Sequence, residues 1–149
     1  MTEYDCVLLA ILGAIIGSLL NVVTYRLPLM IGQPTSSGIN LWRPASHCPQ
    51  CKKPVRWRDN IPLLSWCLLK GQCHHCQRPI SSRYPLTELT SLLLPLGCGL
   101  LFPAGTLLLM ILLFSWLLLA LVLIDADCQL LPDMLTLPLL WLGLAAHTL

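Results

Sequence analysis

Apolar and polar positions along this chain fall in long blocks rather than in a short amphipathic period. Positions 6–25 form a run of 20 residues without a charge. A helix rising ~1.5 Å per residue needs ~20 residues to cross a bilayer core, so this block predicts one membrane span. Positions 89–124 form a second charge-free block of 36 residues, too long for one ordinary span. Phe102-Pro103-Ala104-Gly105 interrupts it with turn formers, predicting two helices over 84–102 and 106–124. Pro95 and Gly97 mark where the first of these is expected to kink. A polar patch at 125–133 follows, and 134–149 is apolar again. Its 16 residues are short for a span, and the chain ends as if cut short. The pattern predicts an all-α, polytopic membrane bundle of about four transmembrane helices. Its segments are a first helix (1–28), a polar loop (29–83) and three further helices (84–149).

Composition agrees with this picture. The chain is 56% hydrophobic and 11% charged, against about 25% charged in soluble domains. A cleaved signal peptide is the rival reading of the first block. It needs a basic start, whereas this start carries Glu3 and Asp5 and no cation. A retained helix is preferred. The net charge of +2 matters less than where the charges lie. All nine Lys and Arg residues fall from Arg26 to Arg83. The positive-inside rule therefore expects that loop in the cytoplasm, with 125–133 on the same side.

Within the loop, 29–40 is rich in Gly, Pro and Ser and is expected to be flexible. The remainder holds Cys48-Pro-Gln-Cys51, then 21 residues, then Cys73-His-His-Cys76. Two C-x-x-C turns at such a separation are the sequence sign of a tetrahedral thiolate site, with Zn²⁺ the expected ion. Four thiolates leave no open position, so the site is expected to be structural, a zinc-ribbon-like insert. Two disulfides are the competing reading, disfavoured in a reducing compartment. His74 and His75 are expected to face solvent, though either could replace a thiol. Lys52, Lys53, Arg56 and Arg58 could offset the cluster's charge or touch anionic lipid. Cys6, Cys67, Cys98 and Cys128 lack paired spacing and read as ordinary apolar residues. An insert this small gains most of its stability from such a staple. Zinc ribbons also bind nucleic acid, but tethering between membrane helices argues against that here.

Three of the seven acidic residues crowd into Asp125, Asp127 and Asp133. A carboxylate at the end of a membrane helix needs a partner or a wet cavity, which makes Asp125 a functional candidate. The equal alternative is a helix stop, with Asp133 capping the next helix after Pro132. Glu88 is a further candidate, although an acid in a first helical turn also suits the helix dipole. Aspartic peptidases need two carboxylates sharing a proton. Asp127, two residues from Asp125, points elsewhere on a helix, while Asp133 could approach it across the turn.

These residues resemble those of the type IV prepilin peptidases, bifunctional leader peptidases and N-methyltransferases of bacterial inner membranes. The matching stretches are Gly17-Ser-Leu-Leu-Asn21-Val-Val-Thr-Tyr25-Arg26-Leu-Pro28, the four cysteines, Asn60-Ile-Pro62-Leu-Leu-Ser65, Ile80-Ser-Ser-Arg83-Tyr84-Pro85-Leu-Thr-Glu88, Ile124-Asp125 and Leu131-Pro132-Asp133. The resemblance implies that Asp125 is the first catalytic aspartate, and that the loop serves methyl transfer from S-adenosylmethionine to the new N-terminus of a cleaved prepilin or pseudopilin. It implies a role at that site for Arg83, as a cofactor contact, and for Glu88. The family's second aspartate lies in a Gly-x-Gly-Asp motif that these 149 residues do not contain. Either the chain is a truncated product, or a second chain or another copy completes the site. The alternative function is a non-catalytic, zinc-stabilised membrane protein of pilus or type II secretion assembly.

Overall fold

The computed structural model describes residues 3–32, 40–41, 47–48, 51–55 and 61–147. They form α1 (Glu3–Gly32), α2 (Leu64–Leu68), α3 (Arg83–Leu101), α4 (Thr106–Cys128) and α5 (Asp133–His147). Among the described residues there is no strand, only two isolated antiparallel bridges in the cysteine-bearing insert. The expected all-α architecture is therefore present. Helices α1, α3 and α4 are long and apolar enough to cross a membrane, and α5 is apolar but shorter.

Two helix ends differ from the sequence expectation. α1 runs through Pro28 to Gly32, so 29–32, expected to begin a flexible stretch, are helical. The rest of that stretch, 33–39, lies outside the described residues, as do Arg56, Arg58 and Asn60. α4 continues four residues past its predicted end to Cys128, which puts Asp125 and Asp127 inside the helix. It stops where Gln129 takes a left-handed conformation (φ 51°) and donates its N–H to the Asp125 carbonyl at 2.9 Å.

Lipid tails are as apolar as leucine, so the helices cohere by close packing and polar contacts rather than by escape from water. α1 and α3 pack antiparallel along a stripe spaced by four residues. A Cβ added at Gly13 would lie 2.6 Å from the Ser91 carbonyl oxygen and 2.9 Å from Pro95 Cγ. One at Gly17 would lie 2.9 Å from Glu88 Cα. One turn further, Asn21 Nδ2 donates to the Tyr84 carbonyl. Only glycine admits an approach this close. Ser91, fully buried, joins three helices: its hydroxyl donates to the Gly13 carbonyl at 2.9 Å, and its own carbonyl accepts the Trp116 indole N–H of α4. α4 contributes Leu108, Leu112, Trp116 and Ala120 at intervals of four, and these form the core with Leu20. Val7, Ile11 and Ile15 of α1 and Leu118 and Val122 of α4 stay exposed, an apolar surface suited to lipid.

Candidate functional site

The two C-x-x-C turns are copies of one device. In the first, the Cys48 N–H donates to the Lys53 carbonyl and the Lys52 N–H to the Cys48 carbonyl. In the second, the Cys73 N–H donates to the Arg78 carbonyl and the Gln77 N–H to the Cys73 carbonyl. Lys52 and Gln77, each following the second cysteine of its pair, take matching left-handed conformations (φ 55° and 53°). Antiparallel bridges close both turns, His47 with Pro54 and Gln72 with Pro79. The sequence carries this likeness beyond the cysteines: each pair is followed by one residue, a cation and a proline, 25 positions apart.

These turns aim their sulfurs at a common point. The four Sγ atoms of Cys48, Cys51, Cys73 and Cys76 lie within 4.8 Å of one another, and Cys48 and Cys76 are 3.9 Å apart across the two knuckles. Thiolates ~2.3 Å from a tetrahedral ion stand ~3.8 Å apart, so the arrangement fits a zinc-sized ion. All eight cysteines are free thiols. Backbone hydrogen bonds from Cys76 and His75 lower the Cys73 thiol to about 7. The Arg78 amide lowers Cys76 as well, but burial and its hydrogen bonds with Cys73, Cys48 and Cys51 push it up to about 11. One thiolate thus forms readily and its neighbour resists, as expected of a cluster short of positive charge. His74 and His75 are exposed, with rings edge to face, and neither belongs to the cluster.

Between this module and the adjoining ends of α1 and α3 lies a cavity of about 480 Å³. Cys48 and Cys73 form part of its wall, and Asn21, Tyr25, Trp66, Tyr84 and Glu88 line it from the helices. Glu88 organises the region. Its Oε2 accepts the Leu63 N–H at 2.8 Å, and its Oε1 accepts Asn21 Nδ2 at 3.3 Å. One carboxylate therefore ties α1 and α3 to the turn that starts α2, where Leu63 holds a positive φ of 60°. Trp66 of α2 is braced from the other side. A Cβ at Gly71 (φ 70°) would lie 2.9 Å from the indole, so bare backbone covers that ring face. The buried Trp66 indole N–H has no acceptor among the described residues.

The remaining sequence candidates sit apart from this cavity. Arg83 is absent from the cavity wall; it forms an ion pair with Asp127 and donates to the Leu123 carbonyl at 3.4 Å. That pair fixes the end of α4 beside the start of α3, so Asp125 lies at the same end of the bundle as the module. Asp125 itself is exposed and lines no part of the cavity. Asp133 begins α5 and is likewise exposed. Cys67 and Cys128 are exposed, while Cys98 packs against the core.

Sequence reasoning missed two contributors. Arg26 is buried and donates from Nη1 to the Asn40 and Leu41 carbonyls, pinning the loop to α1. A cation on the final turns of a membrane helix, ahead of a long loop, is the signal that could have found it. Trp66 carried no such signal, because its place depends on a glycine five positions away.

Comparison with known proteins adds relatives to this geometry. Residues 11–102 match the bacterial peptidase A24 N-terminal domain. The chain is 54% identical over 132 residues to a prepilin leader peptidase/N-methyltransferase of Klebsiella pneumoniae, covering 89% of this chain and 57% of the relative. It is 48% identical to a type 4 prepilin-like proteins leader peptide-processing enzyme of Escherichia coli O78:H11, over 94% of this chain and 56% of that one. A prepilin leader peptidase/N-methyltransferase of Aeromonas hydrophila is 44% identical, over 95% and 54%. The chain spans a little over half the length of these curated relatives. No solved structure matches it.

Proposed function

This chain belongs to the bacterial peptidase A24 family, and from that premise we propose that it serves prepilin leader cleavage and N-methylation in a bacterial inner membrane. One observation carries the reading. Three stretches far apart in sequence, around Asn21, Ile61 and Glu88, meet on one cavity beside the thiolate cluster. All of them lie within the span shared with the family. The nine cations from Arg26 to Arg83, in the loop and at the helix ends beside it, orient the module toward the cytoplasm. Zn²⁺ held by Cys48, Cys51, Cys73 and Cys76 fixes the module's shape and takes no part in the reaction. S-adenosylmethionine supplies the methyl group, and the module's side of the molecule is where the pilin's new N-terminus receives it.

Leader cleavage is the task of the α4 end. Asp125 acts there as one of two carboxylates, one activating water and the other protonating the leaving amine. No side-chain partner of Asp125 exists among the described residues, and Asp133 is the candidate mate within residues 1–149. Arg83 contributes by holding α4 through Asp127 rather than by touching the methyl donor.

The test is a prepilin presented to membranes that contain this chain and no other prepilin peptidase, with mass spectrometry reading leader removal and methyl addition. A pilin already cleaved is expected to be methylated, with Asp125→Ala as active as the wild type. Cleavage is expected only when Asp125 is intact. A chain that neither cleaves nor methylates would return the reading to a zinc-stabilised assembly protein.

A further inference from the structure

The short helix α2 has two faces, and the site described above uses one of them. Ser65 and Trp66 line the cavity, to which Leu64, Cys67 and Leu68 do not contribute. Positions 64, 67 and 68 are spaced by three and four, so they share the other face. Leu68 is 81% exposed, the highest value among the large hydrophobic residues described, and Leu64 is 60% exposed. Cys67 between them is exposed as well. Apolar side chains left bare together on one face mark an interaction surface.

The level at which α2 is attached says what covers that face. Leu63, which starts the helix, donates its N–H to Glu88 Oε2 at 2.8 Å, and the other Glu88 oxygen accepts Asn21 Nδ2 at 3.3 Å. Asn21 lies inside the charge-free block 6–25, and Glu88 directly precedes the charge-free block 89–124. Glu88 sits ~8 Å along α3 from Arg83, and α1 runs on for ~16 Å beyond Asn21 to Gly32. The start of α2 is therefore held on the flank of the bundle, at the edge of its spans, and not beyond the helix ends. Leu86 and Leu89 of α3, on either side of Glu88, are exposed too, so the apolar surface suited to lipid reaches this level.

We propose that α2 lies in the membrane–water interface, with Leu64, Cys67 and Leu68 among the glycerol and upper acyl groups of the lipid. Interfacial helices bury an apolar face ~5–10 Å into this zone. Five residues are too few to bind a bilayer alone, but Glu88 and Asn21 already hold this helix at the bilayer's edge. Lys70, exposed just after the leucines, has a stem long enough to place its ammonium at the lipid phosphates. α2 is then gripped from two sides, by Glu88 and by lipid, which fixes the Trp66 wall of the cavity relative to the spans.

Cys67 reports on this face without a substitution in it. In zinc-loaded protein carrying Cys6→Ala, Cys98→Ala and Cys128→Ala, the ion masks the four clustered thiols, and a polarity-sensitive fluorophore is attached to Cys67 alone. The protein is reconstituted in vesicles of phosphatidylethanolamine and phosphatidylglycerol, with or without lipids brominated high on their acyl chains. Emission is expected at the short wavelength of an apolar setting, and the brominated lipids are expected to quench most of it. Leu64→Gln combined with Leu68→Gln is expected to shift the emission to its value in water and to abolish the quenching, with zinc content and melting temperature unchanged. Where that double variant does not fold, Leu68→Cys labelled in a Cys67→Ala background replaces it, with the same quenching expected. Emission as in water overturns the proposal. So does short-wavelength emission that brominated lipid leaves untouched, the result when a protein surface covers α2, and so does quenching that survives the loss of both leucines.

Discussion

The cysteine module and the aspartate end of α4 lie at the same end of the bundle, yet they are assembled on opposite principles. Each knuckle closes on itself through two backbone hydrogen bonds and a bridge, all within eight residues. Two such turns bring four sulfurs within 4.8 Å of one another. Asp125 has no comparable enclosure. Its neighbour Asp127 holds the ion pair with Arg83, and Asp125 stays exposed on the helix. The module gathers four sulfurs from two local turns, whereas Asp125 has no side-chain partner among the described residues. Chemistry built from local turns needs only spacing, whereas chemistry built from helix ends needs tertiary or quaternary contacts.

The sharpest way to break this contrast is to remove a ligand. Cys73→Ser is expected to abolish stoichiometric zinc and to unfold the insert, while α1, α3 and α4 stay packed. Structural zinc contributes ~10–16 kcal/mol in small zinc-finger peptides, far more than an insert this size gains from its core. Metal analysis with hydrogen exchange over 61–82 reads the result. Protection that survives in the variant would show that the module does not depend on its ion.

Next in size is the glycine stripe. Gly13→Val places branched carbons where a single Cβ already falls 2.6 Å from backbone. Overpacking costs ~1–3 kcal/mol in cores that can adjust, and backbone on both sides leaves little room for adjustment. The expected outcome is a clear fall in melting temperature in detergent with zinc content unchanged, since the knuckles close independently of α1. Loss of zinc in Gly13→Val would mean that the module leans on the helices after all.

A pH titration sharpens the contrast from the module's side. The Cys73 thiol lies below its ordinary value and Cys76 above it. Metal binds thiolates, so protons compete with it and affinity must fall as pH falls. Above about 7 Cys73 is largely ionised and competes little. Below it, its proton adds roughly one decade of weakening per pH unit to that imposed by Cys76. Zinc competition assays from pH 8 to pH 6 are expected to steepen near 7, and a pH-independent affinity would contradict thiolate ligation.

The same division explains what the sequence revealed. The helices at 84–102 and 106–124 were legible because uninterrupted apolar runs have one economical arrangement in a bilayer. The four-cysteine cluster was legible because C-x-x-C spacing is itself the geometry. The last turn of α4 was not, since Asp125 and Asp127 look like a stop until Arg83, more than forty residues away, neutralises Asp127. Nor could spacing show that Glu88 accepts the Leu63 N–H, or that Arg26 holds Asn40 and Leu41. Those contacts join a helix to a loop whose path no periodicity records.

The smallest expected effect falls at the carboxylates and separates the two aspartates most directly. The Arg83–Asp127 pair is a little over one-third exposed on both sides, so solvent screening holds its contribution to ~1 kcal/mol or less. Asp127→Asn is expected to lower stability by about that amount. Adding Arg83→Gln should cost little more, because the shared contact is already gone. Asp125→Asn, with no side-chain partner among the described residues, is expected to leave stability unchanged while abolishing leader cleavage. Thermal melts of the four proteins in one detergent, beside a cleavage assay, decide the matter. If Asp125→Asn melts as early as Asp127→Asn, Asp125 is a structural stop for α4 and the catalytic assignment loses its ground. If only Asp127→Asn melts early, one aspartate sets the helix end and the other is left free for chemistry.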